Sequence, residues 1–439
     1  MANTGCLGCA GRWWPVKTLR CAGAGRASSG RPLIAVLGAA VAGGPLLAGA
    51  LAGCSLVARA DGSQVSFQQA LARIAATPAT RRLIVYDNTG ALVKLTGSSW
   101  SAQGSFAALR GTGAGPLTQV GQLLASNPGI NLLGASYTIT AGQQPQQVGL
   151  IAGGQQAQRV STGLAKLGWA PTHGRLVAPS PDSVGGNQQY TSIYALNLAQ
   201  VRTTGSDVRF GGAQADLGEI DHSTGPTLAV DPGTKALAGC LGNVVAAEVD
   251  AAYPGGPATA PGSYSRFPLP SGPAAAVAAS PSAAPAPAHA AASPSHPAPA
   301  PSHTASPSSS PSPSASGGPA GGPAAVAAGV RRPQSGTSTP QAVVCVAWPT
   351  QAAADKYTSE LRALLPGGVA PDLGVPYSRL LSRPSVRDIG GSHHLVAWQA
   401  GTPANAGAVL QMVQDTTLPA LPDCAHLPPQ NAAHVTGCT

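Results

Sequence analysis

The chain has 439 residues with a formal charge of +9, but only 9% of them are charged and 4% aromatic, against 56 glycines and 42 prolines. Any core must therefore be built mainly from Val, Leu, Ile and Ala. The positive balance does not point to nucleic acid: Arg12, Lys17, Arg20, Arg26 and Arg31 all precede residue 32, no cluster of Lys or Arg with interleaved aromatics follows, and nucleic acid is excluded as a partner.

Residues 32–53 read PLIAVLGAAVAGGPLLAGALAG, an uncharged run behind a positive segment that contains no acid. A positive region, an apolar region and a small-residue cleavage site make a secretory signal. The run closes on Leu51-Ala52-Gly53-Cys54, which resembles the lipobox of bacterial lipoproteins. That resemblance is confined to this segment, and the rest of the chain suggests no family. It implies that the signal (1–53) is removed, that Cys54 carries a diacylglyceryl lipid, and that residues 54–65 tether the protein to the extracytoplasmic face of the cell membrane. Two acyl chains hold a protein stably where one does not. The alternatives are plain secretion and an uncleaved anchor helix, the latter disfavoured by Gly38, Gly43, Gly44, Pro45 and Gly49. Cys6 and Cys9 form a CxxC with no second pair nearby, so no metal is expected there.

The first core segment is expected over 66–253. Ser66 is an N-cap for a helix carrying Phe67, Ala70, Leu71 and Ile74 as far as Pro78. Leu83 to Tyr86 is a strand ending in a turn at Asp87-Asn88-Thr89-Gly90. Gly111 to Pro116 is a glycine-rich loop; the proline and the missing lysine exclude a phosphate cradle. Leu117, Val120 and Leu124 mark a helix, Tyr137–Thr140 and Val148–Ile151 strands, Val160, Leu164 and Leu167 a helix face, and Leu176-Val177 a strand. Thr234 to Val249 is expected to be one helix containing Cys240.

From 254 to 338 Ala, Pro, Ser and Gly dominate, with no acid. Such a composition buries too little apolar surface to offset ordering entropy, so disorder is expected. His289, His296 and His303 are scattered through it as spacer residues. The pattern resumes over 339–439, with a strand at Val343–Trp348, a helix at Gln351–Leu365, a strand at His394–Trp398 and a helix at Asn405–Asp415. Laying Val160 over Tyr357 also superposes the strands at Val148 and Cys345, a weak internal repeat. The expected fold class is α+β, of strand–helix units resembling ferredoxin-like sandwiches with helices on one side of a sheet. The two segments are expected to form one composite domain, interrupted by the tract. A long loop does not forbid that, because closure entropy grows only with the logarithm of its length.

Beyond Cys54, four cysteines remain: Cys240, Cys345, Cys424 and Cys438. An even number outside the cytoplasm suggests disulfides. Cys424 with Cys438 and Cys240 with Cys345 is the favoured pairing, with buried free thiols as the alternative. Asp216, Glu219, Asp221 and His222 are the densest group of acid/base side chains, at a spacing that fits no calcium loop. His393 and His394 point to opposite faces of an extended chain. Asp87, at a strand end, stands where α/β sheets place ligand groups, although a turn would use it equally. No catalytic motif, cofactor site or metal site is assigned. The expected function is a noncatalytic envelope lipoprotein that binds a protein partner or a small ligand. The alternatives are a structural or assembly lipoprotein, and a hydrolase with an unrecognised site.

Overall fold

The computed structural model describes residues 65–179, 188–221, 225–251, 322–333, 339–370, 374–403 and 405–421, with backbone only for 188–192. The signal and lipobox, most of the low-complexity tract, His222, Cys424 and Cys438 lie outside the described residues.

Fourteen strands are described, and twelve of them form one antiparallel sheet. The chain opens with α1 (Phe67–Leu71), β1 (Leu83–Asp87) and α2 (Thr89–Thr96). A 3-10 segment (Thr112–Val120) then runs into α3 (Gly121–Ser126). Next come β2 (Tyr137–Ala141), β3 (Val148–Ala152), α4 (Ala157–Lys166), β4 (Ala170–Thr172), β5 (Arg175–Val177), α5 (Gln188–Asn197), β6 (Gln200–Thr204) and β7 (Asp207–Gly211). After α6 (Pro232–Leu241) follow β8 (Val244–Asp250), β9 (Ala325–Arg331), β10 (Gln341–Ala347) and α7 (Gln351–Gly367). The chain continues through β11 (Val369–Ala370), β12 (Val375–Pro376), α8 (Tyr377–Leu380), β13 (Ser382–Gly390), β14 (Leu395–Gly401) and α9 (Ala408–Gln414).

The sheet order is β13-β14-β10-β9-β8-β1-β2-β3-β7-β6-β5-β4. Strands from both sides of the low-complexity tract thus share one sheet, and β8 pairs directly with β9, Asp250 opposite Val326. The tract is the connection of a hairpin. It leaves and re-enters the sheet at neighbouring points.

This order contains a repeat. Sheet neighbours β1-β2-β3-β7-β6 and β8-β9-β10-β14-β13 follow the same course: a three-stranded meander, a helix (α4 or α7), a small hairpin with a helix, then a two-stranded return beside the third strand. The units matched by sequence, β3–α4 and β10–α7, hold equivalent places. The halves meet where β1 pairs antiparallel with β8, Ile84 opposite Val249.

Period-2 alternation divides the strands between two cores. On β10, Ala342, Val344 and Val346 join a cluster with α7 and α9, while Val343 and Cys345 join another with α1 and α6. A third cluster packs α3 and α4 against Ile151, Val208 and Phe210. Helices therefore cover both faces, not one side as expected from the sequence.

Three further expectations are corrected. Thr234–Val249 is not one helix: α6 ends at Gly242 (φ 67°), and the alanine-containing run Val244–Asp250 is a fully buried strand. The expected disordered tract does not reach 338, because Ala325–Arg331 is a central strand. That run contains no proline and carries valines at 326 and 330, both fully buried. Finally, Asn88 does not sit in a simple turn: its side chain accepts from the Ala91 amide and caps α2.

Candidate functional site

Asp87 ends β1 on the sheet face covered by the 3-10 segment, and it is fully buried. Its carboxylate accepts from the Gly113 amide at 2.8 Å, from Thr89 Oγ1 at 2.6 Å and from Thr138 Oγ1 on β2. Burial raises its pKa to about 6, and these hydrogen bonds oppose the rise without cancelling it. The glycine-rich stretch expected to be a loop is thus a 3-10 turn clamped to the sheet by a buried acid. Gly113 is required there, because a Cβ would stand 2.2 Å from the Thr138 carbonyl oxygen. With no solvent exposure and every oxygen engaged, Asp87 is a strut.

The expected acidic group is dispersed. Asp216 accepts from the Gly218 amide at 2.8 Å and caps a 3-10 turn. Asp221 instead joins an ion-pair network: Arg73 Nε donates to its Oδ1 at 2.5 Å and Arg209 Nη2 to its Oδ2 at 2.8 Å. Arg73 Nη2 also donates to Asp207 at 2.8 Å, and Arg73 Nη1 to the Tyr137 hydroxyl at 3.1 Å. Burial acts to lower the pKa of Arg73, but the bonds to Asp221 and Asp207 outweigh it and hold the guanidinium charged. This network ties the loop after β7 to the segment after α1. His394 Nδ1 meets Gln351 Oε1 at 3.2 Å, and the His393 carbonyl accepts from the Trp348 amide, so the histidine pair serves the β10–α7 junction. Among the described residues no group of three His, Cys, Asp or Glu side chains could hold a metal.

Cys240 of α6 and Cys345 of β10 are joined, with Cα atoms 6.3 Å apart across 105 residues of sequence. The bridge staples α6 to the sheet from opposite sides of the tract.

Among the described residues, two concave sites carry basic side chains. A groove of about 630 Å³ between the end of α3 and α4 carries Arg159 and Lys166, and Arg159 donates to the Ala125 carbonyl at 3.0 Å. A smaller cavity of about 290 Å³ lies at one end of the sheet, where Val65, Asn88, Asn243, Arg331, Arg332 and Gln341 converge. Among the described residues no Asp or Glu lines it. Arg331 is fixed by donating to the carbonyls of Leu241 at 2.6 Å and Cys240 at 3.3 Å, which satisfies the end of α6. Its pKa is lowered by burial and by the nearby charge of Arg387. Sequence reasoning missed this cavity, since its lining comes from five separate stretches and carries no motif.

Compared with known proteins, the chain matches no family model, no curated sequence and no solved structure.

Proposed function

We propose that the protein is a lipid-anchored protein of the extracytoplasmic membrane face, whose body is a noncatalytic binding module held at one end. The observation that carries this reading is the placement of the chain's two departures from the body. Tyr86 and Asn88 donate to the Val65 carbonyl at 2.9 Å, so the chain arrives from Cys54 at the end of the sheet where β1 finishes. The tract departs after Asp250, opposite the beginning of β1, roughly 15 Å away along the strands. Val65 and Asp250 thus stand toward opposite ends of β1, as suits a body held to a membrane at one end. The Cys240–Cys345 bridge supports an oxidising location. The likeness to ferredoxin-like sandwiches belongs to this reading for the single units β3–α4 and β10–α7.

Cell fractionation tests the anchor. Wild-type protein should sediment with membranes and carry a lipid on its N-terminal peptide. Cys54→Ala should be released, or persist as a larger precursor. A variant that fractionates and migrates as wild type does would reject the lipoprotein reading.

A further inference from the structure

We infer that the groove between the end of α3 and α4 binds an acidic oligosaccharide, with Arg159 and Lys166 meeting its carboxylates. The groove is lined by two stretches, 126–129 and 156–167, both described without interruption. Arg159 and Lys166 stand seven residues apart on α4, so they face the same side, roughly 10 Å apart along the helix axis. Arg159 Nη2 donates to the Ala125 carbonyl at 3.0 Å, which seats the guanidinium at the end of α3 and leaves Nε and Nη1 without a partner among the described residues. Gly129 makes room for its stem, because a Cβ there would stand 2.8 Å from Arg159 Cγ. Lys166 is exposed. Among the described residues no Asp or Glu lines the groove. From 88 to 206 the sequence holds six Lys and Arg residues and one acid, Asp182, which lies outside the described residues.

Charge alone would suit any anion, and the rest of the lining narrows the class. Ser126, Asn127, Gln156 and Thr162 bring hydroxyls and amides, each able to donate and to accept. A phosphate chain offers acceptors only and would leave their own acceptor atoms idle, whereas sugar hydroxyls use both. Among the described residues no aromatic side chain lines the groove, so a neutral sugar finds no ring to lie against and charge must supply the hold. The volume of about 630 Å³ falls within the range of small-ligand sites, about 300–1,000 Å³. The site gives the binding module proposed above a ligand class and rests on that reading, but not on lipidation of Cys54.

The test is calorimetric titration of the full chain in detergent with hexamers of galacturonic acid and of mannuronic acid. At least one should bind, more weakly as salt rises, and a neutral glucose hexamer should not. Lys166→Gln and Arg159→Gln should each weaken binding about threefold, as expected of exposed charge pairs, and together roughly tenfold. Arg159→Lys should restore part of the loss. Lys94→Gln, on the exposed side of α2, makes the same charge change elsewhere and should have little effect. Melting curves establish that each variant is folded. Failure of both acidic hexamers, equal binding of the neutral hexamer, or undiminished binding by the double variant would overturn the inference. So would tighter binding of polyphosphate of equal charge, since charge alone would then be read. Shortening of the hexamer during titration would uphold the ligand class and overturn the noncatalytic reading instead.

Discussion

Asp87 couples the fold to pH in a direction opposite to that of most surface carboxylates. Its folded pKa is raised from 3.8 to about 6, so its ionisation opposes folding. The stability it contributes is fully present below about pH 4 and is lost as pH rises through about 6, amounting to about 3 kcal/mol at most. Asp87→Asn preserves the shape, and its amide can donate to Thr89 Oγ1 while its oxygen still accepts from Gly113. Urea unfolding should find Asp87→Asn at least as stable as wild type at pH 7.5, with wild type gaining on the variant as pH falls to 5. A constant difference between the two would place the titration elsewhere. Gly113→Ala addresses the same contact from the other side. With backbone atoms on two sides of the new methyl group, it should cost about 3 kcal/mol or more, read from the same experiment.

At the scale of elements, the disulfide and the hairpin insertion separate cleanly. A bridge closing a loop of about 100 residues is worth up to about 4.7 kcal/mol by the chain-entropy model. The double substitution Cys240→Ala with Cys345→Ala should therefore lower the urea midpoint strongly, without altering the folded sheet seen by circular dichroism. After protease cuts the tract, denaturing electrophoresis should show one species without reductant and two with it. Native chromatography should show one species in both cases, because β8 and β9 remain paired; separation of native reduced fragments would contradict the shared sheet. Deleting 275–321 leaves both hairpin ends in place and should shift stability by no more than about 1 kcal/mol.

The same scale explains what could be read from the sequence. Apolar spacing located α1, α4, α7 and α9, and short β-branched runs located β1, β2, β3, β10 and β14. Composition misled elsewhere. Ala246 and Ala247 gave β8 the look of a helix continued from α6. The alanines of β9 merged with the tract beside them, although buried central strands need only small apolar side chains on both faces. β7 was concealed by Arg209, a buried cation whose partner Asp221 follows the strand. β13 was concealed by Pro384, which an edge strand tolerates. Asp87 drew notice as an acid at a strand end, but its partners Gly113 and Thr138 are 26 and 51 residues away. No local pattern reports such contacts.

For the whole molecule, the pairing of β1 with β8 is the seam between two like halves. Two halves of like strand order, joined through antiparallel strands at the middle of the sheet, have the symmetry of an isologous dimer. α1 and α6, which precede those strands, lie together on one face, and α4 and α7 both lie on the other, as a two-fold axis through the sheet demands. The arrangement is that of two like halves paired as the two members of an isologous dimer would be. Either half alone would expose β1 or β8 as an unpaired edge, which the other half covers. The connection after β1 holds the clamped 3-10 segment, and the equivalent connection after β8 is the proline-rich tract.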